Sequence, residues 1–433
     1  MRFDIIRLLA VSAVLVFSSA FDWKPKPSPQ VKADLVAYAR SVGETKFADA
    51  VEKTSSTAEW MRLAFKHGAE LLKASEGGDF DDKKRMYGLR IIDYPLHVEN
   101  LGKDVPQEDV QAYKDTVREY CASARDRVFA EVAAAKIPNG SLRFWRIYNM
   151  GYVIKGPKHT IAIDITHRPL FYDYDGRSLT EDKKVSVWHP EDWKRLAQLA
   201  DMLFVTHPHG DHYCRGCVEA FVAADKPVVV PCDLEEYVIG QKPKKGPDGK
   251  YIIEKDNLTK APCCVKLTKD NLEPVDVRGV KVRNFLGNQG KDIPCNVYLI
   301  DVDGVLVADN GDNYDLGKER MLGKCPPADV IIASTWNKVQ EMVKSCAAAP
   351  GFDRTKSVLL PSHENELNHR VQQRESYWEM YTRKDRLGNR EFPWPRVHPL
   401  GYGESFMFKK SASASRPPEP TPAKPKSDPT GKR

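Results

Sequence analysis

His207, His209, Asp211 and His212 fall within six consecutive positions, the stretch "HPHGDH". The whole chain has 11 histidines in 433 residues, so three of them in six positions is not the scatter of a composition accident. The apolar run "DMLFVT" at 201–206 leads straight into the cluster and reads as a buried strand. His207 and His209 alternate about Pro208, so both rings can turn to one side. Gly210 gives the backbone room to turn, and Asp211 and His212 can point back. This mixture of imidazole and carboxylate suits zinc, manganese or iron better than calcium, which takes oxygen alone. One loop rarely closes a metal site. Two more donors end similar apolar runs: Asp309 in "VLVADNGD", whose carboxylate could bridge two ions, and His363 in "SVLLPSHEN".

Elements that could position these donors surround them. "HPEDWKRLAQLA" reads as a helix with Pro190 in its first turn, "YCRGCVEAFVAAD" as the helix after the cluster, and "KPVVVP" as the next strand. That β–loop–α–β unit puts the histidines at a strand's C-terminal end, where α/β layers place their sites. "LRFWRIY", "GYVIKG" and "HTIAIDI" are earlier strands, with Gly156-Pro157 as a hairpin turn. "VDVRGVKVRNFL", "CNVYLIDVDGVLVADNG" and "ADVIIAST" are later ones. From Val31 to Lys136 the pattern is helical, with Val31, Leu35, Tyr38 and Val42 on one stripe. His67 and His97 stand alone there and read as surface or packed histidines. No internal repeat is evident.

The chain's length suits two or three domains. Its hydrophobic content of 41% supports a sizeable core, and its mean hydropathy of -0.50 argues against a polytopic membrane protein. A net charge of +6 with no basic run interleaved with aromatics points to no nucleic-acid groove, and the expected partner is a small-molecule substrate. Arg2, Arg7 and the run "LLAVSAVLVF" before "SSA" read as a signal peptide over residues 1–20, hence export to the periplasm or beyond, with no stable membrane span after cleavage. "KPKPSPQ", Lys24 to Gln30, reads as a stiff exposed linker. A helical module fills the rest of 21–138, a second domain 139–408, and a disordered tail 409–433. Nine cysteines are an odd number. Cys214 and Cys217 read as a local disulfide or two buried thiols, and Cys263 and Cys264 as cysteines with separate partners.

The stretch from Leu142 to Phe408 resembles the metallo-β-lactamase superfamily. "THPHGDH" matches that family's HxHxDH. "TIAIDI" ending at Asp164, "VLVADNG" and "LLPSH" match its later motifs in the right order, with the lactonase-like branch nearest in layout. The resemblance implies an αββα sandwich. It implies a first metal site with His207 and His209, a second with Asp211, His212 and His363, and Asp309 bridging the two. One departure stands out. The family supplies a third first-site histidine between the heptad and the bridging aspartate, yet no histidine occurs from Tyr213 through Ser362. Asn288 or Gln289 falls near the expected place.

The expectation is therefore an exported, metal-dependent hydrolase of α/β class, holding one or two Zn2+ ions, with Mn2+ or iron as the other choices. Its target would be an ester, lactone or amide carbonyl, or a phosphodiester. Asp211 would orient the attacking water, helped by His167 and Arg168 after the "AIDI" strand and Asn337 after "VIIAST". His369, Trp336 and Trp378 are second-rank candidates for the pocket. The alternatives are a metal-retaining binding protein without turnover and a di-iron redox protein of the same fold.

Overall fold

The structure, a computed structural model, describes residues 26–75, 82–98, 106–166, 188–232, 260–290, 293–335, 339–365, 367, 376–378 and 396–410. Residues 1–20, where a signal peptide was expected, and His167, Arg168, Trp336, Asn337, His369 and residues 411–433 lie outside these.

Five helices come first: α1 (Ser28–Ser41), α2 (Thr45–Glu52), α3 (Thr57–Ala74), α4 (Lys83–Leu96) and α5 (Gln107–Ala134). Two cap residues show why they start where they do. Ser56 Oγ accepts from Glu59 N, and the Asp82 carboxylate accepts from Lys84 N and Arg85 N. The expected linker is shorter than the sequence suggested. Ser28 to Gln30 form the first turn of α1, because Pro29 fits a helix's first turn and Ser28 is buried, accepting from Trp60 Nε1 at 3.1 Å.

Two seven-stranded sheets follow. The first contains β1 (Ser141–Tyr148), β2 (Gly151–Lys155), β3 (Thr160–Ile163), β4 (Met202–Phe204), β5 (Val228–Val230), β6 (Cys264–Lys266) and the late strand β14 (Ser405–Lys409). The second contains β7 (Asn271–Val277), β8 (Val280–Gln289), β9 (Ile293–Val302), β10 (Val305–Asp309), β11 (Val330–Ser334), β12 (Val358–Ser362) and β13 (Arg396–Val397). Their orders are β14-β1-β2-β3-β4-β5-β6 and β13-β12-β11-β10-β9-β8-β7. In each sheet four strands pair antiparallel and the pairing then turns parallel, at β3–β4 and at β10–β11. The two halves thus repeat one topology that no residue pattern announced. Lys409, where the tail was expected to begin, ends β14 instead.

Side chains alternate between two cores, as the period of a strand requires. Val305 and Val307 of β10 face the inter-sheet core with Phe144, Ile154, Ile163 and Phe204, while Leu306 and Ala308 face the opposite way. That outer face is covered by α8 (Leu316–Glu319), the 3₁₀ turn after it and α9 (Val339–Ala347), through Leu322, Met342 and Val343. On the far side, Trp145, Ile147, Val153 and Leu203 of the first sheet pack on α6 (Pro190–Leu199), α7 (Arg215–Ala223) and the N-terminal helices in one continuous cluster. The result is the four-layer αββα sandwich with an N-terminal helical region that was expected. Among the described residues, no helix is long and apolar enough to cross a membrane.

None of the nine cysteines forms a disulfide, so Cys214 and Cys217 are buried thiols and the alternative of a local disulfide is not realised. Burial raises both thiols above the ordinary range, Cys214 to about 11, which keeps them protonated.

Asp303 staples the sheets at the end remote from the histidines. It sits in the β9–β10 turn at φ 52, followed by Gly304 at φ 90, the pair of left-handed residues a two-residue hairpin prefers. Its Oδ2 accepts from Lys158 N and His159 N at 2.8 and 3.0 Å, and Oδ1 lies 2.7 Å from His159 Nδ1. Burial pushes this carboxyl up, but those donors outweigh it and leave it below the usual range. Asp303→Ala should therefore cost about 1–3 kcal/mol at neutral pH, read from urea unfolding midpoints. The contribution is complete above the unfolded value of about 3.9 and is lost as pH falls through the lower folded value, so the variant and the parent should converge in acid.

Candidate metal centre

The strands that matter end at one edge of the sandwich. β4 ends at Phe204 and delivers the 205–213 loop, β10 ends at Asp309, and β12 ends at Ser362 just before His363. Two donor groups result. Asp211, His212, Asp312 and His363 form one, all four buried. His207, His209 and Asp211 form the other, with His209 half-buried. Within each group the donor atoms lie within 4.8 Å of one another. In the first, Asp312 Oδ2 is 3.4 Å from both His212 Nε2 and His363 Nε2, and Asp211 Oδ2 is 3.3 Å from His363 Nε2 and 3.8 Å from His212 Nε2. Asp211 belongs to both groups.

Groups outside the donor set fix their aim. Asp164, directly after β3, takes Thr206 N and Thr206 Oγ1 at 2.7 and 2.6 Å, and its Oδ2 is 2.7 Å from His212 Nδ1. With Nδ1 engaged by a carboxylate, Nε2 of His212 is the nitrogen left to face the other donors. Thr166 Oγ1 donates to Gly210 O at 2.6 Å, and Asn149 Nδ2 donates to Asp211 O at 3.0 Å.

The electrostatics separate the carboxylates. Burial raises Asp211 and Asp312, but the imidazoles of His212 and His363 overcome it and hold both well below the usual carboxylate range. Burial and the neighbouring Asp164 push Asp309 well above it. His207 is held low by burial and by His212, hence neutral. Burial alone would lower His212 too, but Asp312, Asp164 and Asp211 raise it. Ionised Asp211 and Asp312 and neutral His207 are in the state that metal ligands require.

Asp309, expected as the bridging donor, lies in neither donor group, although its Oδ2 is buried with no hydrogen-bond partner among the described residues. Its Oδ1 accepts from Gly311 N at 2.8 Å, closing the turn that carries Asp312, three residues on, to the imidazoles. Gly311 stands at φ 47, and a Cβ there would lie 2.4 Å from Thr206 Oγ1, so the turn presses directly on the histidine loop. "ADNGD" offered two acids in one turn, and only the backbone path chooses between them.

Asn288 and Gln289, expected as substitutes for the missing histidine, sit at the end of the β8–β9 hairpin opposite Pro294 and Ile293. Asn288 supports the donor turn with its backbone, its N donating to Asn313 Oδ1 at 3.2 Å and its O accepting from Tyr314 N at 2.8 Å. Neither side chain is bonded to a donor among the described residues. Trp378 packs beneath Arg90, whose guanidinium lies 3.9 Å from its ring centroid, which is a packing role. A cavity of about 500 Å3 lies elsewhere, between α3, α5 and the start of β14, and no donor lines it.

The donors fit a divalent cation. His207 Nε2, His212 Nε2 and Asp312 Oδ1 are buried with no hydrogen-bond partner among the described residues, which is costly unless an ion takes them up.

No family model and no curated protein matches the chain. Solved structures do. Igni18, described as a novel metallo hydrolase from the archaeon Ignicoccus hospitalis, is similar at 14% identity and a TM-score of 0.41, covering 63% of this chain and 100% of that one. The metallo-beta-lactamase fold protein YhfI from Bacillus subtilis is similar at 12% identity and a TM-score of 0.37, covering 62% and 100%. CmlA, a diiron beta-hydroxylase from Streptomyces venezuelae, is similar at 12% identity and a TM-score of 0.37, covering 63% and 54%. These likenesses are distant, and the metal centre stands on this chain's own donors.

Asp312→Asn should reduce metal retention, while Asp309→Asn, which keeps an oxygen for Gly311 N, should retain it. Asp164→Asn should weaken affinity by about 10–100-fold through His212. Elemental analysis after graded chelation reads all three, and equal retention by the Asp312 and Asp309 variants would reverse the assignment.

Proposed function

We propose that this chain is a metal-dependent hydrolase that directs water at an ester, lactone or amide carbonyl, or at a phosphodiester. The observation that carries the reading is Asp211, one buried carboxylate common to two donor groups. When bound, a divalent cation supplies Lewis acidity and brings the pKa of water from near 16 to about 7. The protein does the rest. Asp164 engages His212 Nδ1, which leaves Nε2 facing Asp211 and Asp312. Asn149 and Thr166 fix the backbone on which Asp211 turns. Asp211 orients the attacking water, and the neutral His207 leaves its Nε2 as an acceptor. Zinc is the proposed metal, with manganese or iron as the alternatives that the same donors accept. Export is proposed on residues 1–20 alone, and a mature N-terminus at Phe21 is its expected sign.

The second reading, a protein that holds metal without turnover, draws support from the thin group of His207, His209 and Asp211. One experiment separates them. Purified protein is assayed for metal content and for hydrolysis of p-nitrophenyl acetate and bis-p-nitrophenyl phosphate, beside His212→Ala. The hydrolase reading expects turnover of at least one substrate, abolished by chelation and in the variant and restored to the parent by added zinc or manganese. Metal without turnover supports the binding protein, and undiminished turnover by metal-free protein overturns the reading.

A further inference from the structure

His363 projects from an awkward backbone. It stands at φ 85 and Asn365 at φ 56, left-handed conformations that non-glycine residues adopt only when their surroundings hold them. Part of what holds them comes from the N-terminal helices. Asp93 of α4 is fully buried. Its Oδ1 accepts from Asn365 Nδ2 and Tyr377 N, both at 2.9 Å, and its Oδ2 accepts from Trp378 N at 2.8 Å. The Tyr402 hydroxyl lies 2.9 Å from the carbonyl oxygens of both Glu364 and Asn365. The Glu364 carboxylate is 2.6 Å from Arg146 Nη1, with both side chains fully buried. Arg146 Nε donates to Asn149 O at 3.0 Å, and Asn149 Nδ2 donates to Asp211 O. One buried frame therefore runs from Asp93 through Asn365, Glu364, Arg146 and Asn149 to Asp211. It touches the loops of two donors, Asp211 and His363, that stand 152 residues apart in the sequence.

We infer that Asp93 is a positioning residue for the metal centre, and that the N-terminal helical region is a working part of that centre. Without its carboxylate, two backbone N–H groups and one amide lose their acceptor, and the segment that begins at His363 loses its anchor on α4. The His363 imidazole then no longer holds its place against Asp211 and Asp312. This inference rests on the metal reading above, but it concerns ligand geometry and does not depend on which substrate is cleaved.

The test uses the full chain loaded with Co2+, whose visible absorption reports ligand geometry. Asp93→Asn should alter the visible bands at saturating cobalt and weaken cobalt binding by about tenfold or more, the scale of losing an outer support. Asp192→Asn is the control. It breaks the buried pair of Arg125 Nη1 and Asp192 Oδ2, 2.6 Å apart between α5 and α6, and should lower the unfolding temperature while leaving the cobalt spectrum unchanged. Tyr402→Phe deletes a single hydroxyl and should give a smaller change in the same direction as Asp93→Asn, which keeps the test decisive if Asp93→Asn does not fold. A parental spectrum and affinity in folded Asp93→Asn, or in Tyr402→Phe where that is the only folded variant, overturns the inference alone. So does an equal change in the Asp192 control. A parent that takes up no cobalt overturns the metal reading and this inference with it.

Discussion

Four carboxylates, those of Asp164, Asp211, Asp309 and Asp312, are buried around the imidazoles of His207, His212 and His363. Charges that deep are tolerable only when paired or when they coordinate a cation. Much of the local structure can be understood as meeting that condition. Asp164 is satisfied by Thr206 and His212. Asp309 is pushed toward its neutral form and closes a turn. Asp211 and Asp312 stay ionised because imidazoles face them, and His207 Nε2, His212 Nε2 and Asp312 Oδ1 have no hydrogen-bond partner among the described residues.

The duplicated topology explains how the acids come to be there. Each sheet changes from antiparallel to parallel pairing beside its fourth strand, β3 in one and β10 in the other. Asp164 follows the first of these strands and Asp309 ends the second. Their equivalent places account for their shared behaviour: each uses its carboxylate on neighbouring backbone, at Thr206 N and at Gly311 N. Asp164 engages both of its oxygens, whereas Asp309 leaves its Oδ2 buried and without a hydrogen-bond partner among the described residues. The donors come one step later, from the loop after β4 and from the turn that Asp309 closes.

What could be read from residues alone was whatever depends on near neighbours. The alternation in "VLVAD" predicts a strand with two faces, and both faces are indeed buried, because sheets and helices cover them. The crowding of His207, His209, Asp211 and His212 marks the loop, and "LLPSH" marks His363. Neither of these depends on distant chain. The remainder does. Asn149 reaches Asp211 across 62 residues and Asp93 reaches Asn365 across 272, and an asparagine in a hairpin turn or an aspartate in a helix carries no local sign of such a partner. The "KPKPSPQ" stretch misled for a related reason: prolines that stiffen a linker also fit a helix's first turn, and the burial of Ser28 against Trp60 decides between the two.

The Arg146–Glu364 pair shows how the helical side and the donors are joined. Removing both charges from water is expensive, and a pair of apolar residues of similar volume would often serve stability as well or better. An apolar pair would not, however, specify direction. Arg146 also donates to Asn149 O and to Leu400 O, at 3.0 and 2.9 Å, so its guanidinium ties the β1–β2 turn and the approach to β14 to the residue after His363. A greasy contact could slide by a fraction of an ångström without penalty. Ligand sets do not tolerate such slack, because an ion demands its donors at fixed distances. The same reasoning applies to the continuous apolar cluster that joins α1–α5 to the outer face of the first sheet: it supplies rigidity, and the buried polar frame within it converts that rigidity into the placement of His363.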